Sequence, residues 1–395
     1  MSEAKQAWRG GRSRHIPNTS MQPDKATRSC SPIRTLHMNC GCSRALSTLV
    51  LVATTVAAGD VVERRSADPP LEGRVTLIDD AGVTVKSLLG AVHFVPWDRV
   101  RSVQTESIDM TLPARMQTAV DLWRARSRVE RHDTTLAESL FARLFEQYRG
   151  KTHETALVVA EGLLRCRSAR SDQVMAVIPA LEVARLRRAG ITTEAYSTLD
   201  PVLDSTYALC TVLPPVWLQT PRLDSLGHDL DGYDPKGDEV VGALANAYRQ
   251  AVRQTLGRPI EPADRGPDHP GVELLRRLIA CNSQSADERS AAREQLRRAI
   301  PSMPAWAEAW CRYQIGVSLL AETGLGRRQT GAVSLVHLPA RFSRTQHFLA
   351  GLALAELIRT MHLDGDEGSA DRLRNELGRS YPNHPLHDSG EADSQ

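Results

Sequence analysis

The densest group of side chains that could bind a metal ion lies between residues 224 and 239. Carboxylates are preferred ligands of a hard cation such as Ca²⁺. The spacing does not fit an EF-hand, because Gly232 directly follows Asp231 and Tyr233 stands where a ligand is needed. Interleaved glycine and proline residues favour solvent-exposed turns. We therefore predict a hydrated acidic loop rather than a metal site, with these carboxylates: Asp224, Asp229, Asp231, Asp234, Asp238 and Glu239.

Two further groups contain metal-binding side-chain types, but too few of them. His384 and His387 flank Pro385 and Leu386 at the start of a polar tail, with no carboxylate or cysteine matched to them. Transition-metal sites need three or four organised ligands, so we predict an exposed turn there. The pair Cys40-Gly-Cys42 lies in an N-terminal segment that we predict to be removed.

Motifs that mark common catalytic sites are absent from the sequence. There is no HExxH for zinc, no GxSxG nucleophile turn, no GxxxxGK phosphate loop and no GxGxxG after a strand. The sequence therefore indicates no catalytic residue, no metal ligand and no cofactor-binding residue, and it predicts no cofactor.

Composition places the chain among globular proteins without a strong bias of charge. Its 395 residues are enough for two or three domains, and a hydrophobic fraction of 41% is ample for buried cores. The 49 basic and 47 acidic residues leave a formal net charge of +2. So small an excess creates no global positive field, and neither nucleic acid nor anionic lipid is indicated as a partner.

The N-terminal segment has the pattern of a secretory signal. Residues 1–44 contain eight Lys or Arg residues, and an uncharged apolar run from Ala45 to Gly59 follows directly. A basic start, an apolar run and small residues at its end predict cleavage near Ala58 or Gly59. The run is shorter than the ~20 apolar residues that span a bilayer, and no later stretch reaches that length. We therefore predict an exported protein, periplasmic or secreted, without a stable membrane anchor in the mature chain.

Two points about this segment stay open at the level of sequence. Translation could start at Met1, Met21 or Met38, and Met38 would give a signal of ordinary length. The alternative to a signal is an apolar helix in a cytoplasmic protein.

Four cysteines follow the predicted cleavage point: Cys166, Cys210, Cys281 and Cys311. Four cysteines permit three pairings, and the sequence does not decide whether disulfides form. Cys166, Cys281 and Cys311 lie within apolar helical patterns, which favours free buried thiols.

A small β module is predicted for residues 71–105, after a polar linker over 60–70. Apolar residues alternate with mostly polar ones at Val75 and Leu77 and in two later pairs, which predicts three short antiparallel strands. The stretch Val95–Val103 adds a fourth apolar edge, in which Trp97 could close a small SH3-like or Sm-like barrel. Basic and acidic residues balance in this module, so we predict that it packs against the rest of the protein rather than binding RNA.

From about Thr111 the apolar period becomes helical. The clearest example is a wide stripe of apolar residues on one helix, which we predict to end at Gly150. These residues form the stripe: Leu136, Leu140, Phe141, Leu144, Phe145 and Tyr148. Close spacing of the neighbouring patterns predicts antiparallel helix pairs. We predict a mainly α fold with this division: a helical-repeat region over 111–190, an irregular segment over 191–238 forming an ordered loop across the helices, a second helical region over 239–385, and a disordered tail over 386–395.

Two stretches in the C-terminal third have the spacing of tetratricopeptide units. In such a unit bulky residues fill the seam between two helices, a small Ala lets the helices approach, and Pro ends the second helix. They are Ala292, Leu296, Ala299, Pro304, Trp310, Tyr313 and Val317, and then Leu354, Leu357, Ile358, Met361, Gly365, Ala370, Leu377 and Pro382. Gln314, Ile358 and Arg374 depart from the pattern, and Thr323 to Arg344 interrupts it.

The chain therefore resembles a divergent tetratricopeptide-like protein, and this register places Trp310 in the buried seam between helix pairs. The signal, small β module and helical repeats together also look like those of uncharacterised secreted proteins of planctomycete-type bacteria. That resemblance implies no activity.

Two functions from different classes remain. The first is a non-catalytic, exported interaction or scaffold protein, in which a groove of stacked helix pairs receives a peptide or a partner domain. The second is an exported hydrolase whose site is assembled from residues 224–239 and the region of His337 and His347. Buried polar residues clustered in a cavity would favour the hydrolase.

Overall fold

The computed structural model describes residues 59–106, 109–259 and 266–387. The predicted signal, Ala45 to Ala58, and the tail residues 388–395 lie outside the described residues. No helix in the described part of the chain is long and apolar enough to cross a membrane.

An antiparallel sheet of five strands forms the N-terminal part, where the sequence predicts three strands and a fourth apolar edge. The strands are β1 (Asp60–Arg64), β2 (Leu71–Ile78), β3 (Gly82–Ser87), β4 (Val92–Pro96) and β5 (Val100–Gln104), and adjacent strands follow the order β4-β3-β2-β1-β5. A 3-10 turn at Trp97–Arg99 joins β4 to β5. This is a small module of the predicted SH3-like or Sm-like type.

The predicted linker over 60–70 is wrong for its first half, because β1 occupies Asp60–Arg64. This strand lies between β2 and β5 and is paired with both. The side chain of Val62 is fully buried, and Val61 is the one other apolar residue of the strand, which is too few to show alternation. One of the two strands that pair with β1 comes about 40 residues later, so the local pattern cannot reveal the strand.

The core of the sheet is built from valines and closed by Trp97. The indole Nε1–H of Trp97 donates a hydrogen bond to the carbonyl oxygen of Asp79 at 2.8 Å, so the buried donor is satisfied. Burial of Trp97 agrees with its predicted place at the bottom of the module.

Twelve α-helices follow in the described residues: α1 (Leu112–Val129), α2 (Thr134–Tyr148), α3 (Glu154–Ala169), α4 (Gln173–Arg188), α5 (Pro221–Asp231), α6 (Glu239–Thr255), α7 (Pro270–Ala280), α8 (Ala286–Ala299), α9 (Ala305–Leu320), α10 (Leu325–Arg341), α11 (His347–Leu363) and α12 (Glu367–Ser380). Consecutive helices pack against each other, which confirms the predicted mainly α fold of antiparallel pairs.

The contact between α2 and α3 shows why the helices can approach closely. A Cβ atom at Gly162 would lie only 2.3 Å from Cζ of Phe141, so glycine is required where the ring crosses α3. The predicted stripe on α2 is buried at Phe141, Leu144 and Phe145, whereas Leu136 in the first turn is exposed.

The segment predicted to be irregular, 191–238, contains regular structure. Strands β6 (Leu203–Asp204) and β7 (Leu209–Cys210) form a short hairpin, and α5 covers much of the predicted acidic loop. Pro221 is favoured at the first position of a helix, and the buried residues Leu223, Leu226 and Leu230 form one apolar stripe. The acidic and glycine residues between the leucines obscured this period in the sequence.

The stretch Thr323 to Arg344, predicted to interrupt the repeat array, instead contains α10, which packs against both α9 and α11. Two glycines make the contact possible, since a Cβ at Gly331 would lie 2.8 Å from the carbonyl oxygen of Gly316. Glycines weaken a helical pattern in a sequence, although here they permit close helix packing.

All four cysteines in the described part of the chain are free and buried. The sequence left open whether these cysteines form disulfides, and in the structure they do not. Burial raises the pKa of each of these thiols to about 12, so they behave as small apolar groups.

The 3-10 turn Trp97–Arg99 attaches the sheet to the helices. Asp98 is fully buried, and its Oδ2 accepts a hydrogen bond from Arg126 on α1. Arg99 Nη2 lies 3.1 Å from Glu154 Oε1 on α3. The sheet is therefore held against the first helices by buried polar contacts, in agreement with the predicted packing role.

Candidate functional site

The predicted acidic carboxylates are distributed among separate basic partners. Asp231 Oδ1 lies 2.8 Å from Arg249 Nε, and Asp234 Oδ2 lies 2.9 Å from Lys236 Nζ. Asp224 is paired with Arg258. Asp238 caps α6 and also pairs with Arg188. Within the described residues, no group of three or more His, Cys, Asp or Glu side chains could hold a metal ion.

The predicted exposed turn at His384 is wrong. The imidazole of His384 is buried, stacks on Phe348 with ring centroids 5.4 Å apart, and has Nε2 3.0 Å from the carbonyl oxygen of Phe348. A short 3-10 turn at Pro385–His387 follows, so the predicted disordered tail does not begin at residue 386.

The histidines of the hydrolase hypothesis lie on two different helices. His337 is on α10, and His347 begins α11, where its ring packs against Tyr381 with centroids 4.6 Å apart. Residues from the acidic stretch instead line a small cleft of about 280 Å³ together with Glu182. The carboxylate of Glu182 already has partners, because it pairs with Arg185 at 2.8 Å and accepts a hydrogen bond from Gly150 N.

A larger cleft, of about 630 Å³, opens where the N-terminal ends of α4, α5 and α11 meet. One part of its wall is apolar and is formed by Val174, Leu218, Phe348 and Pro385. These residues come from segments far apart in the sequence, so the cleft exists only in the folded chain.

Three residues that line this cleft have buried polar atoms without a hydrogen-bond partner: Trp217 Nε1, Gln173 Oε1 and Thr220 Oγ1. The side chains of Trp217 and Gln173 are only 7% and 5% exposed. Buried polar groups in folded proteins almost always have partners, and leaving one unpaired costs about 1–3 kcal/mol. A donor, an acceptor and a hydroxyl therefore lie unpaired in the residues that line the cleft.

The surrounding contacts hold these side chains in place. The ring of Trp217 packs against Tyr248 at 6.1 Å, and the hydroxyl of Tyr248 donates to the carbonyl oxygen of Leu213 at 2.9 Å. Gln219 Nε2 donates to the carbonyl oxygen of Thr255 at 3.1 Å. The segment 213–220 is the part of the predicted loop 191–238 that these contacts hold against the helices.

Charges at the edge of the cleft are already paired. Asp172 caps α4 through Met175 N and lies 2.9 Å from Arg222 Nη1, and Arg170 lies near the same carboxylate. Thr220, which precedes α5, makes no side-chain capping hydrogen bond. The cleft therefore offers hydrogen bonds and apolar surface rather than an uncompensated charge.

Sequence analysis did not identify any of these residues as a site. The signal that was available is the segment Leu213-Pro214-Pro215-Val216-Trp217, whose aromatic and apolar content predicts order but not an unsatisfied indole. Comparison with protein-family models, with curated proteins and with solved structures finds no match to this chain. Functional argument therefore rests on the cleft itself.

Proposed function

We propose that the chain is an exported, non-catalytic binding protein, in which tetratricopeptide-like helix pairs hold a peptide segment of a partner protein in the cleft beside Trp217. The observation that carries the proposal is the unpaired donor of Trp217 together with the unpaired acceptor of Gln173. An extended peptide supplies a carbonyl acceptor and an N–H donor at nearly every residue.

The apolar wall supports the same occupant. Leu218 and Phe348 line the cleft and can receive apolar side chains of a peptide. A hydrolase would need a nucleophile or a general acid and base in the cleft. The hydroxyls of Ser171 and Thr220 line the cleft, but no histidine is among the residues that line it, and its one carboxylate, Asp172, is held by a helix N-terminus and by Arg222. The interaction protein is therefore the better-supported function.

Selection of a phage-displayed library of random peptides on the purified protein tests the proposal. We expect enriched peptides to bind W217F about fivefold more weakly than the wild type, because this substitution keeps an aromatic ring and removes one hydrogen-bond donor. W123F is the matched control, since Trp123 lies on α1 under Arg65 and outside the cleft.

Isothermal titration of the enriched peptides measures these affinities. Peptides that bind W217F as tightly as W123F would place their site elsewhere, and failure to enrich any peptide would contradict peptide binding altogether.

Export is the second part of the proposal and is tested separately. We expect protein purified from its native host to begin near Gly59, because the basic, apolar and small-residue pattern ends there. Mass spectrometry of the N-terminal peptide decides the point. An intact Met1 or Met38 in a cytosolic fraction would contradict export.

A further inference from the structure

Large exposed apolar side chains are concentrated in the β module. Of the eleven that occur among the described residues, five lie here: Leu77, Leu88, Leu89, Val92 and Phe94. Leu88 and Leu89 form the tip of the hairpin between β3 and β4, and Val92 and Phe94 lie on β4 itself. Single exposed apolar residues are ordinary, whereas such a concentration marks an interaction surface.

The strand β4 is an unprotected edge of the sheet. It pairs with β3 on one side and with no other strand of the described chain. At the opposite edge, β5 contacts α1 and carries the charged residue Arg101. Sheet edges are usually protected by charges, by proline or by a covering helix. In β4 the only such device is Pro96, at its last position.

The register shows which backbone groups of β4 are free to pair. Ser87 N donates to the carbonyl oxygen of Ala91 at 2.8 Å, so the N–H of Ser87 and the C=O of Ala91 point between the two strands. Bonded and non-bonded pairs alternate along antiparallel strands, so Val92 and Phe94 direct their N–H and C=O groups away from β3. These outward groups are the ones that an added strand would meet.

We propose that β4 pairs antiparallel with β4 of a second copy of this chain, about a two-fold axis through Phe94. Leu77, Thr84 and Phe94 stand opposite one another on three adjacent strands. The two-fold axis would place Phe94 beside Phe94 of the second copy and continue this row across both sheets, and aromatic cross-strand pairs of this kind stabilise a sheet.

Charge favours a second copy as the occupant. The segment Val92–Pro96 contains no acidic residue, lysine or arginine, so two copies can approach without repulsion between like charges. The antiparallel arrangement also brings the end of the sheet that carries Arg74 and Lys86 to the same side as Asp79 of the second copy, whereas Asp80 already pairs with Arg115 and Lys151 of its own chain. Such isologous pairing makes a closed dimer.

Sedimentation velocity of the purified protein at several concentrations tests this pairing. We expect a dimer for the wild type and at least about tenfold weaker association for F94K, which sets two like charges opposite each other. V92P should weaken the dimer as well, because it removes an outward N–H while leaving the bonds to β3 intact. The matched control is V336K, an exposed apolar position on α10, which should leave the dimer unchanged.

A charge swap separates self-pairing from other occupants. F94K and F94E should each be monomeric alone and should form a heterodimer when mixed, since the opposite charges then meet at the axis. A monomeric wild type, a dimer that survives F94K, or a mixture that stays monomeric would each overturn the proposal. Circular dichroism of each variant confirms that loss of association is not loss of the fold.

Discussion

Replacement of Trp310 by alanine should lower the free energy of unfolding by about 3–5 kcal/mol, the range for truncating a large buried aromatic side chain. Trp310 on α9 is 1% exposed, as the repeat register predicts. Its ring meets the edge of Trp306 with centroids 4.8 Å apart. The substitution would leave a cavity that rigid helices on several sides cannot close.

A polar contact of the same side chain adds to this cost. Trp310 Nε1 donates to Gln346 Oε1 at 3.2 Å, and Gln346 Nε2 donates onward to the carbonyl oxygen of Thr211 at 2.9 Å. W310F is the matched control, because it retains most of the packing and loses only this donor. Chemical denaturation measures both variants, and a loss of less than ~1 kcal/mol in W310A would contradict the burial of Trp310.

The second large effect is expected at Arg126. Its replacement by methionine should lower the free energy of unfolding by about 3–5 kcal/mol at neutral pH. Asp98 is fully buried and has Arg126 as its charged hydrogen-bond partner, while its Oδ1 accepts no hydrogen bond. R126M would therefore leave a buried carboxylate without compensation. R143M is the matched control, since the side chain of Arg143 is exposed and its partner Asp121 keeps some contact with solvent, and pairs near the surface contribute about 0–1 kcal/mol.

Because Asp98 can take up a proton, the loss of unfolding free energy in R126M should depend on pH in a defined direction. Desolvation by burial raises the pKa of Asp98, although the charge of Arg126 opposes it. A raised pKa in the folded state means that stability falls as pH rises from the unfolded value of 3.8 through the folded one. The cost of R126M should therefore shrink as acid protonates Asp98. Urea denaturation of the wild type and R126M from neutral to acidic pH measures this difference in unfolding free energy. A difference that does not change with pH would argue against an unpaired carboxylate at Asp98.

Elements with strong local periods were predictable, and those that depend on distant partners were not. The stripe through Phe141 and Leu144 identified α2 because its period repeats over several turns. Strand β1 was missed because Val62 is buried by strands that come later in the chain. Helix α10 was missed because Gly331, which lowers helix propensity, is there to admit the backbone of Gly316.

The candidate cleft could not have been predicted for a related reason. Nothing in the neighbourhood of Trp217 in sequence indicates that its indole N–H lacks an acceptor in the folded chain. The cleft around Trp217 also depends on Gln173 and Phe348, which come from separate helices. The sequence lacks common catalytic motifs, but it does not show where the folded chain leaves polar atoms without hydrogen-bond partners.

If the chain is exported as proposed, the place of β1 in the sheet bears on the order of leader removal and folding. Asp60 opens this strand, and its carboxylate accepts hydrogen bonds from Val75 N at 2.7 Å and Glu106 N at 3.0 Å. Cleavage near Ala58 would cut the chain next to a strand that is bonded on both sides. A processing protease needs an extended, accessible backbone, so a precursor whose sheet had already closed would resist it. In such a precursor, leader removal and folding would compete in time, and slow pairing of β1 with the distant β5 would give processing the first opportunity.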